Sequence, residues 1–362
     1  MTSSNIGLEE IINGIRPIKK EWIETARNRT AQLVMPLRAL GKLHDIAEQL
    51  CGIKQTLNPS ISRKVVLIMA GDHGVVAEGV SPYPQEITGE MVRTFLAGGA
   101  GINILARHVG AEVWVVDMGI IPELDPVSMD GGDRLLIRKV ARGTANLAKG
   151  PAMSRQDAEK AILTGFNLAS DQIDQGADIV GTGDMGIGNT TPSAAIGTVI
   201  TGKTPIEMVG RGTGVNDEGL KRKQEAVRQG IRTNQPDPRD GLDVLAKVGG
   251  FEIGGIAGSI LASAYHRYPV VMDGFISTAG ALIAHTLCPT VKDYLFAGHC
   301  SGEQGHRAML GYLGCEPILN LGMRLGEGSG GALAIGIMEA AVQAFSGIST
   351  FEEAGVTEQE SS

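Results

Sequence analysis

Val65-Val66-Leu67-Ile68-Met69-Ala70-Gly71-Asp72-His73-Gly74 is a short apolar run that ends in a polar, glycine-rich loop, with a helical pattern after it. The unit returns down the chain. Val113 to Val116 precedes Asp117-Met118-Gly119, and Ala177 to Val180 precedes Gly181-Thr182-Gly183-Asp184. Tyr268 to Met272 precedes Asp273-Gly274-Phe275, and Asp293 to Phe296 precedes Ala297-Gly298-His299. Strands alternating with helices build a parallel sheet with crossover helices. Ligands of such sheets bind beyond the carboxyl ends of the strands. Every polar loop just quoted is placed at such an end, so one crevice collects them all.

Outward from this pattern the texture changes. Residues 1–60 read as helical, with Ile11, Ile12, Ile15 and then Leu33, Leu37, Leu40 and Leu43 at three- and four-residue intervals, which predicts a helical subdomain. Asn216 to Arg232 is charged and reads as an exposed helix, followed by the loop Asn234-Gln235-Pro236-Asp237-Pro238. The last twelve residues are polar and acidic and read as a frayed tail.

The 362 residues, 43% of them apolar, suffice for one large α/β domain or two ordinary ones. A net charge of −8 argues against nucleic acid as a partner, since phosphate-tracking surfaces gather Lys and Arg. Cys51, Cys288, Cys300 and Cys315 lack the CxxC spacing of a zinc knuckle or redox pair, and Met1-Thr2-Ser3-Ser4-Asn5 lacks the basic-then-apolar pattern of a leader. A reduced, cytoplasmic protein is expected. Gly330 to Phe345 is apolar but is interrupted by Glu339 and falls short of the roughly 20 residues of a membrane span, so no membrane partner is expected. Glycine, at 51 residues, is about twice its usual share of roughly 7% and clusters in short motifs, as ligand loops require.

Those motifs hold the candidate chemistry. Gly181-Thr182-Gly183-Asp184-Met185-Gly186 fits the dinucleotide pattern GxGxxG, with Glu207 near the acidic position, and alone suggests a nicotinamide-dependent oxidoreductase. Its continuation through Gly188, Asn189, Thr190 and Pro192 places the helix start later, which suits a single phosphate on loop amides instead. Gly210-Arg211-Gly212-Thr213-Gly214 is either a tight turn beside a solvated basic face or more phosphate cradle, with Lys223 as its cation. In Gly79 to Thr88, Ser81 and Tyr83 suit the edge and face of a planar ring. His299 to His306 gathers His, Cys and Glu, but Glu303 and His306 have no third partner, so no metal is expected. Glu327 stands among Gly326, Gly328, Ser329 and Gly330, with Arg324 the nearest cation. It is either a helix-start carboxylate or, in an apolar pocket, a general base.

Taken together, these motifs resemble the nicotinate-nucleotide:dimethylbenzimidazole phosphoribosyltransferase family of cobalamin synthesis. The carrying segments are Gly71-Asp72-His73-Gly74, Gly183 to Thr191, Gly210 to Gly214, Met272-Asp273-Gly274-Phe275, Gly298-His299-Cys300-Ser301 and Leu325-Gly326-Glu327-Gly328. The resemblance implies a homodimer with a Rossmann-like parallel sheet flanked by helices, and a smaller helical domain made by the two chain ends. Residues 1–60 and 326–362 would form that small domain and 61–325 the α/β phosphoribosyltransferase domain. The implied reaction joins nicotinate mononucleotide to 5,6-dimethylbenzimidazole, giving α-ribazole 5′-phosphate and nicotinate, with no cofactor. Glu327 matches the catalytic base. Lys223 with Gly186, Gly212 and Gly214 matches the phosphate site, and Ser81 the acceptor-base pocket. Gly188, Asn189, Thr190, Asp273, Ser301, Leu325 and Gly326 complete the implied substrate contacts, with Tyr83. Family members commonly carry Glu where this chain has Asp184, one methylene shorter, which bears on the choice of acceptor rather than on the reaction. A non-catalytic nucleotide-binding regulator is the remaining alternative, and it has no use for Glu327.

Overall fold

The computed structural model describes residues 6–124 and 134–357. The leader reading at residues 1–5, and the tail beyond residue 357, lie outside the described residues. Among these residues seven strands form one sheet: β1 (Lys64–Gly71), β2 (Ala111–Gly119), β3 (Leu135–Ile137), β4 (Ile179–Met185), β5 (Val270–Met272), β6 (Leu295–His299) and β7 (Pro317–Leu319). Their order is β3-β2-β1-β4-β5-β6-β7, every neighbouring pair parallel. This is the doubly wound Rossmann order, in which the winding reverses between β1 and β4 and leaves a crevice beyond their carboxyl ends.

β1 is buried along its whole length because helices cover both faces of the sheet. Met69 touches the helix Phe251–His266 where Gly255 leaves room for it. Val66, an odd number of residues away and so on the opposite face, meets Gly328 at the head of the helix Ser329–Gly347. The helices Arg155–Asp174 and Phe251–His266 approach so closely that a β-carbon at Gly258 would collide with the Ile162 carbonyl.

Residues 29–34 meet residues 345–351. Val34 donates to the Ser349 carbonyl at 2.9 Å, Phe351 to the Gln32 carbonyl at 2.9 Å, and the Arg29 guanidinium lies 5.7 Å from the Phe345 ring centre. One contiguous core includes Ile11 and Leu50 from the first helices as well as the sheet.

Three expectations change. The helical spacing of Leu33, Leu37 and Leu40 is not a helix: helices span Lys20–Ala31 and Lys42–Lys54, and between them Arg38 and Gly41 adopt left-handed backbone at φ 58° and 51° while Leu37 is 73% exposed. Asp117-Met118-Gly119, Gly181-Thr182-Gly183-Asp184 and Ala297-Gly298-His299 are strand rather than loop. Their glycines serve close packing: a β-carbon at Gly183 would lie 2.6 Å from the Glu327 carbonyl oxygen, and one at Gly298 2.9 Å from Gly331. Within the acidic tail, Phe351–Ala354 is a helical turn capped by Thr350 and Glu353.

Candidate active site

A cleft of about 370 Å³ opens where the strand order reverses. Asp184 at the end of β4, His299 at the end of β6, and Phe275 just past β5 enter it from the sheet. Ile87 and Met91, four residues apart on one face of the helix Ile87–Leu96, supply an apolar wall, and Tyr83 stands at the rim. Gly186, Asn189, Thr190 and Gly212 line one end, and Ser301, Leu325, Gly326 and Glu327 line another.

Glu327 is held by its backbone. Gly326, Glu327 and Gly328 all have positive φ, at 81°, 66° and 89°. For a non-glycine residue this is a costly conformation, of order 1–3 kcal/mol. The turn persists because neighbours over-determine it. Asp273 accepts from the Gly328 amide at 3.1 Å through one carboxylate oxygen and from the Gly331 amide at 2.9 Å through the other. His299 Nε2 stands 3.5 Å behind Asp273. Gly183, without a side chain, lets the turn press against β4.

The Glu327 carboxylate accepts from the Ile102 amide at 3.2 Å, in the first turn of the helix Gly101–His108. That amide and the local dipole favour ionisation, but burial and the Asp273 charge outweigh them, and the carboxyl is raised above the ordinary glutamate range. Glu327 is therefore a dipole-facing carboxylate, as the sequence allowed, but it faces a different helix from the one that follows it.

Asp184 is buried and raised well above the usual range, first by burial and then by Asp273, Glu252 and Glu327. Asn189 Nδ2 donates to its Oδ2 at 2.9 Å, while Oδ1 has no protein partner among the described residues. It is a buried acid with one oxygen free to meet a ligand. Lys223 is buried behind Thr190, donates to its hydroxyl at 2.7 Å, and is lowered to about 8 by burial, with Glu303 working against the shift. A β-carbon on Gly212, whose φ is 56°, would lie 2.8 Å from Lys223 Nζ, so the glycine brings the loop and cation together.

Five implied contacts are not in the cleft lining itself. Lys223 stands behind Thr190 and Asp273 behind the Glu327 turn. Gly188 is a turn residue at φ 87° packed on Val76, and Gly214 lies in the adjoining cleft with Gly210 and Arg324. The Ser81 hydroxyl accepts from the Tyr83 amide at 3.1 Å. Sequence reading left Ile87, Met91, Phe275 and Ile276 out of the site. Ile87 falls within the segment Gly79 to Thr88 already set against a planar ring, and its four-residue spacing from Met91 was the local sign of the second. His306 holds no metal role: its Nδ1 accepts from the Ser301 amide and its Nε2 pairs with the Thr278 hydroxyl, both at 2.8 Å, and burial lowers it to about 3. No cluster able to hold a metal ion occurs among the described residues. The dinucleotide reading fails too, because Gly181 and Gly183 are strand residues rather than a strand-to-helix turn.

Fold and cleft together define an α/β enzyme that works at the switch point of a Rossmann-order sheet, with buried carboxylates opposite glycine loops. A family described as Phosphoribosyltransferase matches residues 15–356. The chain is 52% identical to the nicotinate-nucleotide–dimethylbenzimidazole phosphoribosyltransferase of Geotalea uraniireducens, covering 98% of this chain and 99% of that one. It is likewise 52% identical to the enzyme of that name from Geobacter sulfurreducens, covering 97% and 98%. The crystal structure of CobT from Thermus thermophilus superposes with a TM-score of 0.88 at 46% identity, covering 94% of this chain and 100% of that one. The chain belongs to the nicotinate-nucleotide:dimethylbenzimidazole phosphoribosyltransferase family.

Proposed function

We propose that this chain transfers the phosphoribosyl group of nicotinate mononucleotide to 5,6-dimethylbenzimidazole or a related base, the step that makes the α-ribazole 5′-phosphate of the cobalamin nucleotide loop. The observation that carries the reading is Glu327: a buried, raised carboxylate fixed in a left-handed turn beside the apolar wall of Ile87 and Met91. Neither an oxidoreductase nor a nucleotide-binding regulator requires it.

The chemistry follows from the substrates. The glycosidic nitrogen of nicotinate mononucleotide is a cationic pyridinium, so nicotinate departs with the bonding pair and becomes a neutral ring without an acid's help. One benzimidazole nitrogen attacks the ribose C1 from the opposite face, and C1 inverts. The other nitrogen releases its proton to Glu327, an assistance of typically about 10²–10⁴ in rate. Gly186, Gly212 and Lys223 hold the phosphate. Burial lowers Lys223 to about 8, and a phosphate dianion beside it favours the charged form and offsets that shift. Fixing both substrates in line supplies much of the remaining acceleration.

Asp184, with its free oxygen, meets the acceptor or ribose, and its shorter side chain tunes which base is taken. A homodimer is supported by Ile104 and Leu325, 53% and 55% exposed, on the helix beside Glu327 and the turn leading to it: both are apolar surface for a second copy to cover. A cytoplasmic setting is supported by four free cysteines, and no described helix is long and apolar enough to cross a membrane.

Turnover of nicotinate mononucleotide against benzimidazoles, purines and phenols, with product mass as the readout, tests the reading. A ribosylated benzimidazole is expected, with nicotinate released only when base is supplied. Nicotinate release without any ribosylated base would sink it.

A further inference from the structure

The motif Gly71-Asp72-His73-Gly74 is unused by the mechanism above, yet it ends β1 directly behind the cleft. The His73 ring is buried, with Nε2 2.9 Å from Glu252 Oε1, also fully buried, in the first turn of the helix Phe251–His266. Burial opposes the charged form of His73, but Glu252 and then Asp72 outweigh it and raise the imidazole above its ordinary value. The ring is wedged between two glycines. A β-carbon on Gly186 would lie 3.3 Å from Nε2, and one on Gly250 2.5 Å from Cε1. Gly186 itself lines the cleft.

The neighbouring residue reaches the same loop by another path. Asp72 accepts from the Ile121 amide at 2.8 Å and faces the Thr88 hydroxyl. Thr88 in turn accepts from the Ile187 amide at 3.1 Å. Two consecutive side chains of one strand end therefore back two consecutive residues of one loop: His73 stands behind Gly186, and Asp72, through Thr88, behind Ile187.

We propose that His73, with Glu252, and Thr88, with Asp72, are positioning residues that preset the loop Gly186–Asn189 for the phosphoribosyl end of the mononucleotide, and that they act on this substrate and not on the acceptor base. The inference rests on the phosphate assignment of that loop. The physical ground is that a buried ion pair contributes little net stability, since desolvation offsets attraction, but it fixes geometry rigidly. His73 and Thr88 join the Gly71 carbonyl behind Gly186 and Val76 behind Gly188 as the walls of this loop, and a misplacement of about 1 Å can cost on the order of 10²-fold.

The test separates positioning from folding. His73→Asn leaves Glu252 buried and uncompensated and is expected to unfold at markedly lower temperature. The double variant His73→Asn/Glu252→Gln removes both charges and should recover most of the melting temperature. In that double variant, and in Thr88→Val, KM for nicotinate mononucleotide should stay raised by about tenfold or more, while KM for dimethylbenzimidazole stays within about twofold. Recovery of both KM values together with the melting temperature would make the pair merely structural and overturn the inference. So would an equal rise in both KM values, or a Thr88→Val enzyme with wild-type constants. If the wild-type chain itself ribosylates no base, it is the parent reading that fails. Mononucleotide affinity by calorimetry then still reports on the loop, with the same tenfold weakening expected in the double variant.

Discussion

Replacing Glu327 by Gln isolates proton acceptance from everything else the residue does. The amide oxygen of Gln still accepts from the Ile102 amide, now 3.2 Å from the carboxylate, and the positive φ of 66° is equally costly for both residues. The turn therefore keeps its anchors, the Asp273 bonds to the Gly328 and Gly331 amides among them. Burial penalises the Glu327 charge, so its loss does not lower stability. What disappears is the site proposed to take the acceptor's proton. General-base assistance of about 10²–10⁴ corresponds to roughly 2.7–5.4 kcal/mol of barrier, at 1.36 kcal/mol per tenfold. kcat should fall by that factor, with KM for the mononucleotide within about threefold of wild type. The pH profile gives a second reading. The base must be ionised to work, so wild-type kcat should be lost as pH falls through a raised carboxylate value, above the ordinary 4.5. The variant should lack that acid limb. Benzimidazoles with electron-withdrawing substituents release their proton more readily and should show a smaller defect. Initial rates from product mass, over a pH series, measure all of this. A Glu327→Gln enzyme within about threefold of wild-type kcat, or one that keeps the acid limb, would refute the assignment.

Lys223→Met keeps the buried stem and removes the ammonium, so KM for the mononucleotide should rise about tenfold or more, the worth of a charged hydrogen bond, with the melting temperature little changed; steady-state kinetics at saturating base would show it, and an unaltered KM would place the phosphate elsewhere. Asp184 has a folded-state pKa well above its unfolded value, so the stability attached to its protonated form is present below about 3.8 and is lost as pH rises through the folded value. Asp184→Asn should therefore gain melting temperature over wild type increasingly from acid to pH 8; an equal difference at both ends of the range would show that the side chain is not held neutral. Gly183→Ala would place a methyl 2.6 Å from the Glu327 carbonyl, costing about 1–3 kcal/mol of stability and depressing kcat more than KM; a wild-type kcat in a folded variant would mean the turn tolerates displacement.

Short apolar runs with glycine-rich ends were enough to read the parallel class of the sheet and five of its seven described strands, because burial on both faces and the start of a loop are local in sequence; the three-residue edge strands β3 and β7 were not read. The late start of the helix Thr190–Thr201 was legible from Pro192 for the same reason. The glycines were misread where their purpose was non-local. Gly183 and Gly298 look like turn residues in sequence, yet they sit in strands because the segments they admit, at Glu327 and Gly331, arrive from far along the chain. Leu33, Leu37 and Leu40 kept a helical spacing that left-handed Arg38 and Gly41 override.

By itself, then, the sequence determined the class of fold, the loops that gather at the strand ends, and the residue types available there. Whether Glu327 was a helix-start carboxylate or a base stayed open in sequence because the answer depends on desolvation and on distant partners. Tertiary structure supplied the burial that raises the carboxyl and the partners around it, the Ile102 amide 225 positions earlier and the Asp273 carboxylate 55 positions from Gly328, and these are what support the base role proposed for it. A carboxyl's proton affinity is set by the dielectric and charges around it, and those are assembled only when β1, β4, β5 and β6 bring their ends to one crevice.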